Sequence, residues 1–493
     1  MLPVYSAQQF RDWDRFTMEH KHMSSLKLME TAATAFVDCF TRHFDTGRTV
    51  LIFCGNGNNG GDGLAIARLL IQRSYQVMVV QIPVNDAGSP DYVENLNRLI
   101  NLPFGDWLDS SKAMQFLNSD NKAVVVDAMI GSGLNRPLPQ PIAKLVEALN
   151  ALSNARIAVD IPTGLFVDQL AEGPVLNASM TISFQAPKRS FLMPESGPLA
   201  GQLELVDIGL SGEFILQTPT KEGYLQEEDI RVRLKSRNKF SYKNNFGHLA
   251  VIGGSSGMAG ALCMAAKSAL RSGCGLCSVV SPESGRVILQ TAVPEAIYAD
   301  IGNADWASYD TLAVGPGMGT SEEARQKVRQ LLDSGIQRSV WDADALNILA
   351  SENGIGRIPK GAILTPHIGE FDRLFGKSEN HFKRIEKASE MSAKHEVYII
   401  LKGAHTAIIS CEGFIYYNPT GNPGLAKAGS GDVLCGMVAS FLAQAYSPLD
   451  ASILGVYLHG LAADLAIRHI APESLLPTDV IDHISSAINQ IRA

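Results

Sequence analysis

Apolar positions recur at helical spacing through residues 6–44, where Ser6 can cap the start and Leu26, Met29, Ala33 and Val37 share a face. Short apolar, β-rich runs then alternate with helical stretches. TVLIFCG (49–55), QVMVVQI (76–82), AVVVD (123–127) and RIAVD (156–160) read as buried parallel strands, with helical segments such as LAIARLLIQR between them. This alternation predicts an α/β domain with a doubly wound, Rossmann-like sheet. Around 211–245 the pattern lapses into polar, aperiodic sequence, and a linker is expected near 211–225. The pattern restarts with HLAVIGG (248–254), LCSVVS (276–281), TLAVGPG (311–317), SVWDAD (339–344), AILTP (362–366) and VYIILKG (397–403). TAIIS and GFIYYN (406–418) read as a hairpin, and VLCGMVASFLAQA after Asp432 as a helix. Two α/β domains follow, residues 1–212 and 226–493, the second with an antiparallel addition and neither with an internal repeat.

Length agrees with that division, since one core seldom grows past roughly 250–300 residues and the chain has 493. A net charge of −8 argues against a general nucleic-acid or anionic-membrane partner. The start, MLPVYSAQQFRDWDR, has no apolar signal core. No run of about 18 apolar residues suggests a membrane span, so a cytoplasmic location is expected. Seven cysteines, an odd number scattered over a long chain, read as free thiols. Cys274 and Cys277 have redox or zinc spacing but lack a second pair, so they read as packed core thiols.

Gly55-Asn-Gly57-Asn-Asn-Gly60 lies between a strand and a helix, the place of a dinucleotide fingerprint. The second strand offers no acidic residue for a ribose, which disfavours a conventional dehydrogenase. The loop instead carries Asn56, Asn58, Asn59 and Asp62. Asp127 and Asp160 each end an apolar strand and should reach the same sheet edge. Three polar loops converging there supply oxygen donors suited to a hard cation.

In the second half there is no G-x-x-x-x-G-K-[ST] motif. Gly429-Ser430-Gly431-Asp432 precedes a helix, so backbone amides can form an anion hole. Asp432 in the first turn can take a proton from a hydroxyl while the amides steady a transferring phosphoryl group.

The motifs GNGNNGGDG, DAMIGSGLNRP and DIPTGL, in that order, resemble the NAD(P)H-hydrate epimerase domain over about residues 1–210. GHLAVIGGSSGMAGA, GPGMG, DADAL, TPHIGE, KGAHT and GSGD resemble the NAD(P)H-hydrate dehydratase, a ribokinase-like α/β protein, over about 225–493. The resemblance implies repair of hydrated NADH and NADPH. The first domain would interconvert the R and S epimers, and the second would dehydrate the S form while ADP becomes AMP and phosphate. It implies that Asn58, Asn59, Gly60, Gly61 and Asp62 contact substrate, with Gly131, Ser132, Gly133, Leu134, Asn135, Arg136 and Pro137 on its phosphates. Asp160 would be the acid/base. Asn59, Asp127 and Thr163 would hold a potassium ion. In the second domain it implies Asp432 as catalytic base and Ala261, Gly317 and His367 against the hydrate. Lys402, Gly403, Ala404, His405, Thr406 and Gly431 would face ADP, or ATP, with magnesium. A homo-oligomer is expected. The chain departs from the family pattern at Thr163 (Ser is usual), Ile368 (Pro), Lys427-Ala428 (Thr-Gly) and Tyr242 (His), and METAAT is looser than usual.

Two other readings stay open at this level. A sugar or vitamin-precursor kinase would carry the same GSGD helix start, and the first domain could be a binding module without catalysis. Retention of Asp160 and the full ion loop argues against the second.

Overall fold

The computed structural model describes residues 1–84, 87–102 and 106–493. They divide into two compact units, residues 2–220 and residue 1 with 221–493.

The first unit holds seven parallel strands: β1 (Val50–Cys54), β2 (Val77–Gln81), β3 (Trp107–Leu108), β4 (Val124–Ala128), β5 (Ala155–Val159), β6 (Met180–Phe184) and β7 (Gln202–Val206), in the order β3-β2-β1-β4-β5-β6-β7. The order reverses between β1 and β4, where their loops part to leave a crevice at the carboxyl edge. The apolar runs of β1 and β4 are buried on both faces, as the lack of alternation requires.

The helix predicted over 6–44 is two helices, α1 (Ala7–His20) and α2 (Ser25–His43). His22 takes a left-handed φ of 49°, and the Ser24 hydroxyl then accepts from the Lys27 amide to start α2. METAAT lies on α2, where Glu30 accepts from Arg68 of α3 (Asn58–Gln72) at 2.7 Å and Met29 covers Gly61. The stretch read as linker is structured. Residues Gly212–Gln217 form a helix whose Phe214 stacks on Trp13 at 6.0 Å, and the Trp13 indole donates to the Ser211 carbonyl at 2.9 Å. One buried aromatic per short turn leaves no periodicity to read. Strands β3, β6 and β7 escaped the pattern because β3 is two residues long and the other two mix polar residues into their runs.

The second unit begins with β8 (Glu222–Tyr224) and continues with β9 (His248–Ile252), β10 (Leu276–Ser281), β11 (Ile297–Asp300), β12 (Thr311–Val314), β13 (Ser339–Trp341), β14 (Ile363–Leu364), β15 (Tyr398–Leu401), β16 (Ala407–Ile409) and β17 (Ile415–Tyr417). Their order is β8-β17-β16-β15-β14-β13-β12-β9-β10-β11, with β16 antiparallel to both neighbours, so the predicted hairpin is the antiparallel addition. Helices α4 (Ala259–Ser272) and α5 (Ser430–Ala443) pack together against this sheet. The helix Pro448–Ala466 is long and apolar enough to cross a membrane, but 78% of it is buried inside the unit, which makes it a core helix. Cys274 and Cys277 are buried free thiols.

Two glycines fix the first crevice. A Cβ on Gly55 would stand 1.9 Å from the Met129 carbonyl oxygen, and one on Gly60 would stand 1.7 Å from that of Gly55. Backbone cannot yield at such distances. Gly60→Ala should therefore cost about 1–3 kcal/mol by overpacking, read from the denaturation midpoint of the first unit. Gly133→Ala, with nothing within 4 Å, should stay within about 0.5 kcal/mol.

Candidate functional site

In the first unit α3 starts at Asn58 with Gly57 as a cap that offers no side chain, so its first-turn amides face the crevice without a local acceptor. Asn59 reaches the β4 loop: a Cβ on Gly131 would meet its Oδ1 at 2.9 Å, and its Nδ2 is buried with no hydrogen-bond partner. Asp127, at the end of β4, is fully buried. It accepts from the Thr163 amide and hydroxyl, both at 2.7 Å, and from the Met129 amide at 3.2 Å. The Thr163 hydroxyl also lies 3.2 Å from the Ile130 carbonyl oxygen. Among the described residues no Lys or Arg pairs with Asp127, and burial raises its carboxyl to about 6. A buried carboxylate beside a hydroxyl, a carbonyl and an amide, with no protein cation among the described residues, is a donor set that fits a hard cation. Asp127 and Thr163 are thus bonded to each other, and Asn59 abuts Gly131 in the loop that follows Asp127. Thr keeps the oxygen that the usual Ser would supply.

Asp160 ends β5 with a left-handed φ of 64°, a conformation that Asp tolerates better than most residues. Its Oδ1 accepts from the Phe184 amide at 3.0 Å and is ion-paired with the Lys188 ammonium. Lys188 is 1% exposed, donates to the Ser183 hydroxyl at 2.9 Å, and lies 4.6 Å from the centre of the Phe10 ring. Asp14 of α1 and Asp62 of α3 share this corner. Burial and then the charge of Asp160 raise Asp14 to about 7, opposed by Lys188, and the same two causes push Asp62 well above the usual carboxylate range. Three carboxylates thus share one corner in which, among the described residues, Lys188 pairs with Asp160 alone, an arrangement that retains a proton near neutrality. Sequence reading missed Lys188 and Asp14. Lys188 lies in QAPKRS, a polar stretch in which nothing singles it out from the neighbouring Arg189. Asn58, Asn135, Arg136 and Pro137 are exposed at the crevice rim, and Arg136 has no carboxylate partner among the described residues. Ser132, Gly133 and Leu134 form the turn closed by the Leu134 amide on the Gly131 carbonyl at 3.2 Å.

In the second unit a cavity of about 890 Å³ opens over the start of α5, lined by His367, Lys402, Gly403, Ala404, Thr406, Gly431 and Asp432 of the expected set. Gly429, with φ of 98°, turns the chain into α5, and no side chain caps it. A Cβ there would strike the Met264 Cε at 2.7 Å, so only glycine fits. Lys402 lies beneath Gly431, 3.0 Å from Asp342 and 3.8 Å from Glu370. Asp432 is half-buried, and burial first, then Asp342, raises it to about 7 against the opposing Lys402. Its protonation thus changes in the neutral range, as suits a general base.

The remaining expected residues fall as follows. His367 caps the helix Ile368–Phe375, its Nδ1 accepting from the Gly369 and Glu370 amides at 2.9 and 3.2 Å, which leaves Nε2 as the proton-bearing nitrogen. A helix start at 368 is compatible with Ile where Pro is usual. Ala261 and Gly317 touch: a Cβ on Gly317 would stand 3.1 Å from that of Ala261. They do not line the cavity. His405 does not line it either, and its Nδ1 is engaged with the Asn418 carbonyl at 3.1 Å. Lys427 lines the cavity and donates to the Glu473 carbonyl at 2.6 Å, so its charge is held at the rim. Sequence reading missed Asp342 as the counter-charge of Lys402, although DADAL was quoted. It also missed His459, a buried wall residue whose pKa burial lowers to about 4.

A family model described as NAD(P)H-hydrate dehydratase matches residues 249–486, and one described as YjeF-related protein N-terminus matches residues 25–190. The bifunctional NAD(P)H-hydrate repair enzyme Nnr of Moorella thermoacetica is 32% identical over 516 residues, covering 99% of this chain and 97% of its own. That of Coxiella burnetii is 32% identical over 99% of this chain and 100% of its own, and that of Escherichia coli 31% over 99% and 94%. Among solved structures, the ADP/ATP-dependent NAD(P)H-hydrate dehydratase from Bacillus subtilis, co-crystallised with ATP and Mg²⁺, is 32% identical with a TM-score of 0.50, covering 55% of this chain and 98% of that one. A ribokinase-like superfamily protein from Enterococcus faecalis gives 26%, 0.52, 56% and 99%. The chain, with a YjeF-related domain followed by a ribokinase-like dehydratase domain, therefore belongs to the family of bifunctional NAD(P)H-hydrate repair enzymes.

Proposed function

We propose that the first domain interconverts the R and S epimers of hydrated NADH and NADPH, and that the second dehydrates the S epimer at the expense of ADP or ATP with magnesium. One observation carries the second half of this reading: a half-buried carboxylate with a pKa near neutrality stands at an uncapped helix start over a cavity large enough for a nucleotide. Hydroxide is a poor leaving group. Asp432 takes the proton of the substrate hydroxyl as its oxygen attacks the terminal phosphorus of the nucleotide. The Gly431 turn and the Lys402 ammonium offset the charge that develops there. The ring nitrogen then expels phosphate, the neighbouring carbon loses a proton, and reduced nicotinamide is restored. The nucleotide leaves one phosphate shorter.

In the first domain, inversion at the hydroxylated carbon needs its bond to oxygen or to the ring nitrogen to break and re-form with proton transfer, and no redox step. Asp160 is the acid/base, and Lys188 fixes its rotamer and balances its charge. Asn58 to Asp62 and the loop Gly131–Pro137 hold the substrate and its phosphates by amide donors and Arg136. Asn59, Asp127 and Thr163 would hold potassium, which supplies a fixed positive charge beside the substrate phosphates. The same reading makes the hydrated dinucleotides and an adenine nucleotide the partners, in the cytoplasm, with a homo-oligomer as the expected assembly.

Three outcomes follow. With both epimers supplied, S is restored to absorbing NADH only when ADP or ATP is present, with inorganic phosphate released, and Asp432→Asn stops this by roughly 100-fold or more; recovery without nucleotide overturns the phosphoryl-transfer step. Asp160→Asn and Lys188→Met each block recovery of the R epimer by a comparable factor while S recovery persists, so unchanged R recovery removes these residues from catalysis. The dehydratase kcat/KM falls about tenfold per pH unit below pH 7, because Asp432 is then protonated. In Asp342→Asn that limb moves to lower pH, since the charge that raises Asp432 is gone.

A further inference from the structure

Three side chains of different donor type converge at the edge of the first unit's sheet. Cys39 and His43 lie four residues apart on α2, so both project to one face of the helix. Glu204 of β7 faces them from the edge strand. One ligand atom from each lies within 4.8 Å of the other two, and His43 Nε2 stands 3.6 Å from Glu204 Oε1. Cys39 is fully buried, whereas the side chains of His43 and Glu204 are 30% and 29% exposed. The cluster is therefore a dry sulfur under a half-open nitrogen and oxygen, with a path for an ion from solvent. Gln202 donates to Glu204 Oε1 at 2.7 Å and so holds the carboxylate on this side. Cys39 is ten residues along α2 from Met29 at the substrate crevice, about 15 Å at the rise of a helix.

We propose that Cys39, His43 and Glu204 form a binding site for a zinc-type divalent cation, separate from the potassium and magnesium sites and from the repair chemistry. Sulfur, imidazole nitrogen and carboxylate oxygen are the three donors zinc takes, and three protein ligands leave a fourth tetrahedral position for water. Calcium and magnesium are excluded by the thiol and imidazole, since both prefer oxygen alone. In a tetrahedral site with metal–ligand bonds of about 2.0–2.3 Å the ligand atoms stand roughly 3.3–3.8 Å apart; the His43–Glu204 separation already meets this, and rotation of the two half-exposed side chains adjusts their distance to the sulfur. Arg42 also reaches the thiol and is exposed, so it is free to swing away as the metal enters. Binding releases the Cys39 proton, so affinity rises with pH.

Cobalt(II), a spectroscopic stand-in for zinc, tests the site in the full-length protein. The wild type should bind one equivalent with the intense visible bands of four-coordinate cobalt and a thiolate charge-transfer band, both bleached by added zinc. Cys39→Ser and His43→Asn should each abolish the spectrum, and Glu204→Gln should weaken binding at least tenfold, while dehydration of the S epimer is unchanged. Absence of the bands in the wild type overturns the proposal, as does their persistence in Cys39→Ser. Should the buried serine unfold the domain, the half-exposed His43→Asn decides alone: cobalt binding equal to the wild type rejects the site.

Discussion

A carboxylate removed from water must be answered by positive charge or by donors, and both candidate sites of this protein are organised around that requirement. Asp160 is answered by Lys188, which is itself sealed beneath Phe10 and satisfied by Ser183 and Phe184. Asp342 and Glu370 are answered by Lys402. Asp127 is the exception, since it has hydrogen-bond donors and no protein cation among the described residues. Removing one member of such a buried pair costs more than the pair itself contributes, because the partner's charge is then stranded. The backbone carries the remainder of the electrostatics. α3 and α5 both begin at a glycine that offers no capping side chain, which leaves their first amides for an anion.

The two sites solve different problems with these parts. In the first domain the Lys188 ammonium contacts Asp160 directly, and two further carboxylates crowd the same corner, so a proton is held close to Asp160. In the second domain the ammonium lies beneath a glycine turn, and Asp432 stands beyond it with a pKa near neutrality. One arrangement suits reversible proton transfer. The other suits removing a proton while phosphorus charge is neutralised.

Much of this was legible in the sequence, for identifiable reasons. Strands buried on both faces have no alternation to lose, so VLIFC, VVVDA and HLAVI announced themselves, and the loops after them carried the Gly, Asn and Asp of the sites. Elements held by one or two contacts were not legible. The helix Gly212–Gln217 depends on Phe214 meeting Trp13, about 200 residues away, and the break between α1 and α2 depends on one left-handed histidine. Lys188 and Asp342 were missed because a counter-charge is defined by what it faces, and sequence distance hides that. His405 and the Ala261–Gly317 contact show the converse. Motif membership put them beside the ligands, whereas His405 is engaged by the Asn418 carbonyl and the other two lie outside the cavity wall.

Strand β8 sits beside β17, with Glu222 opposite Ile415 and the Tyr417 hydroxyl bonded to Glu222 at 2.9 Å. During synthesis β8 emerges early, and its neighbour is almost 200 residues behind it. At a ribosomal rate of about 5–20 residues per second, β8 waits roughly ten seconds or longer for β17. The order of assembly is therefore written into the connectivity. The second domain cannot seal its border until most of it has been translated, and over that interval the waiting strand must be kept from pairing with another chain.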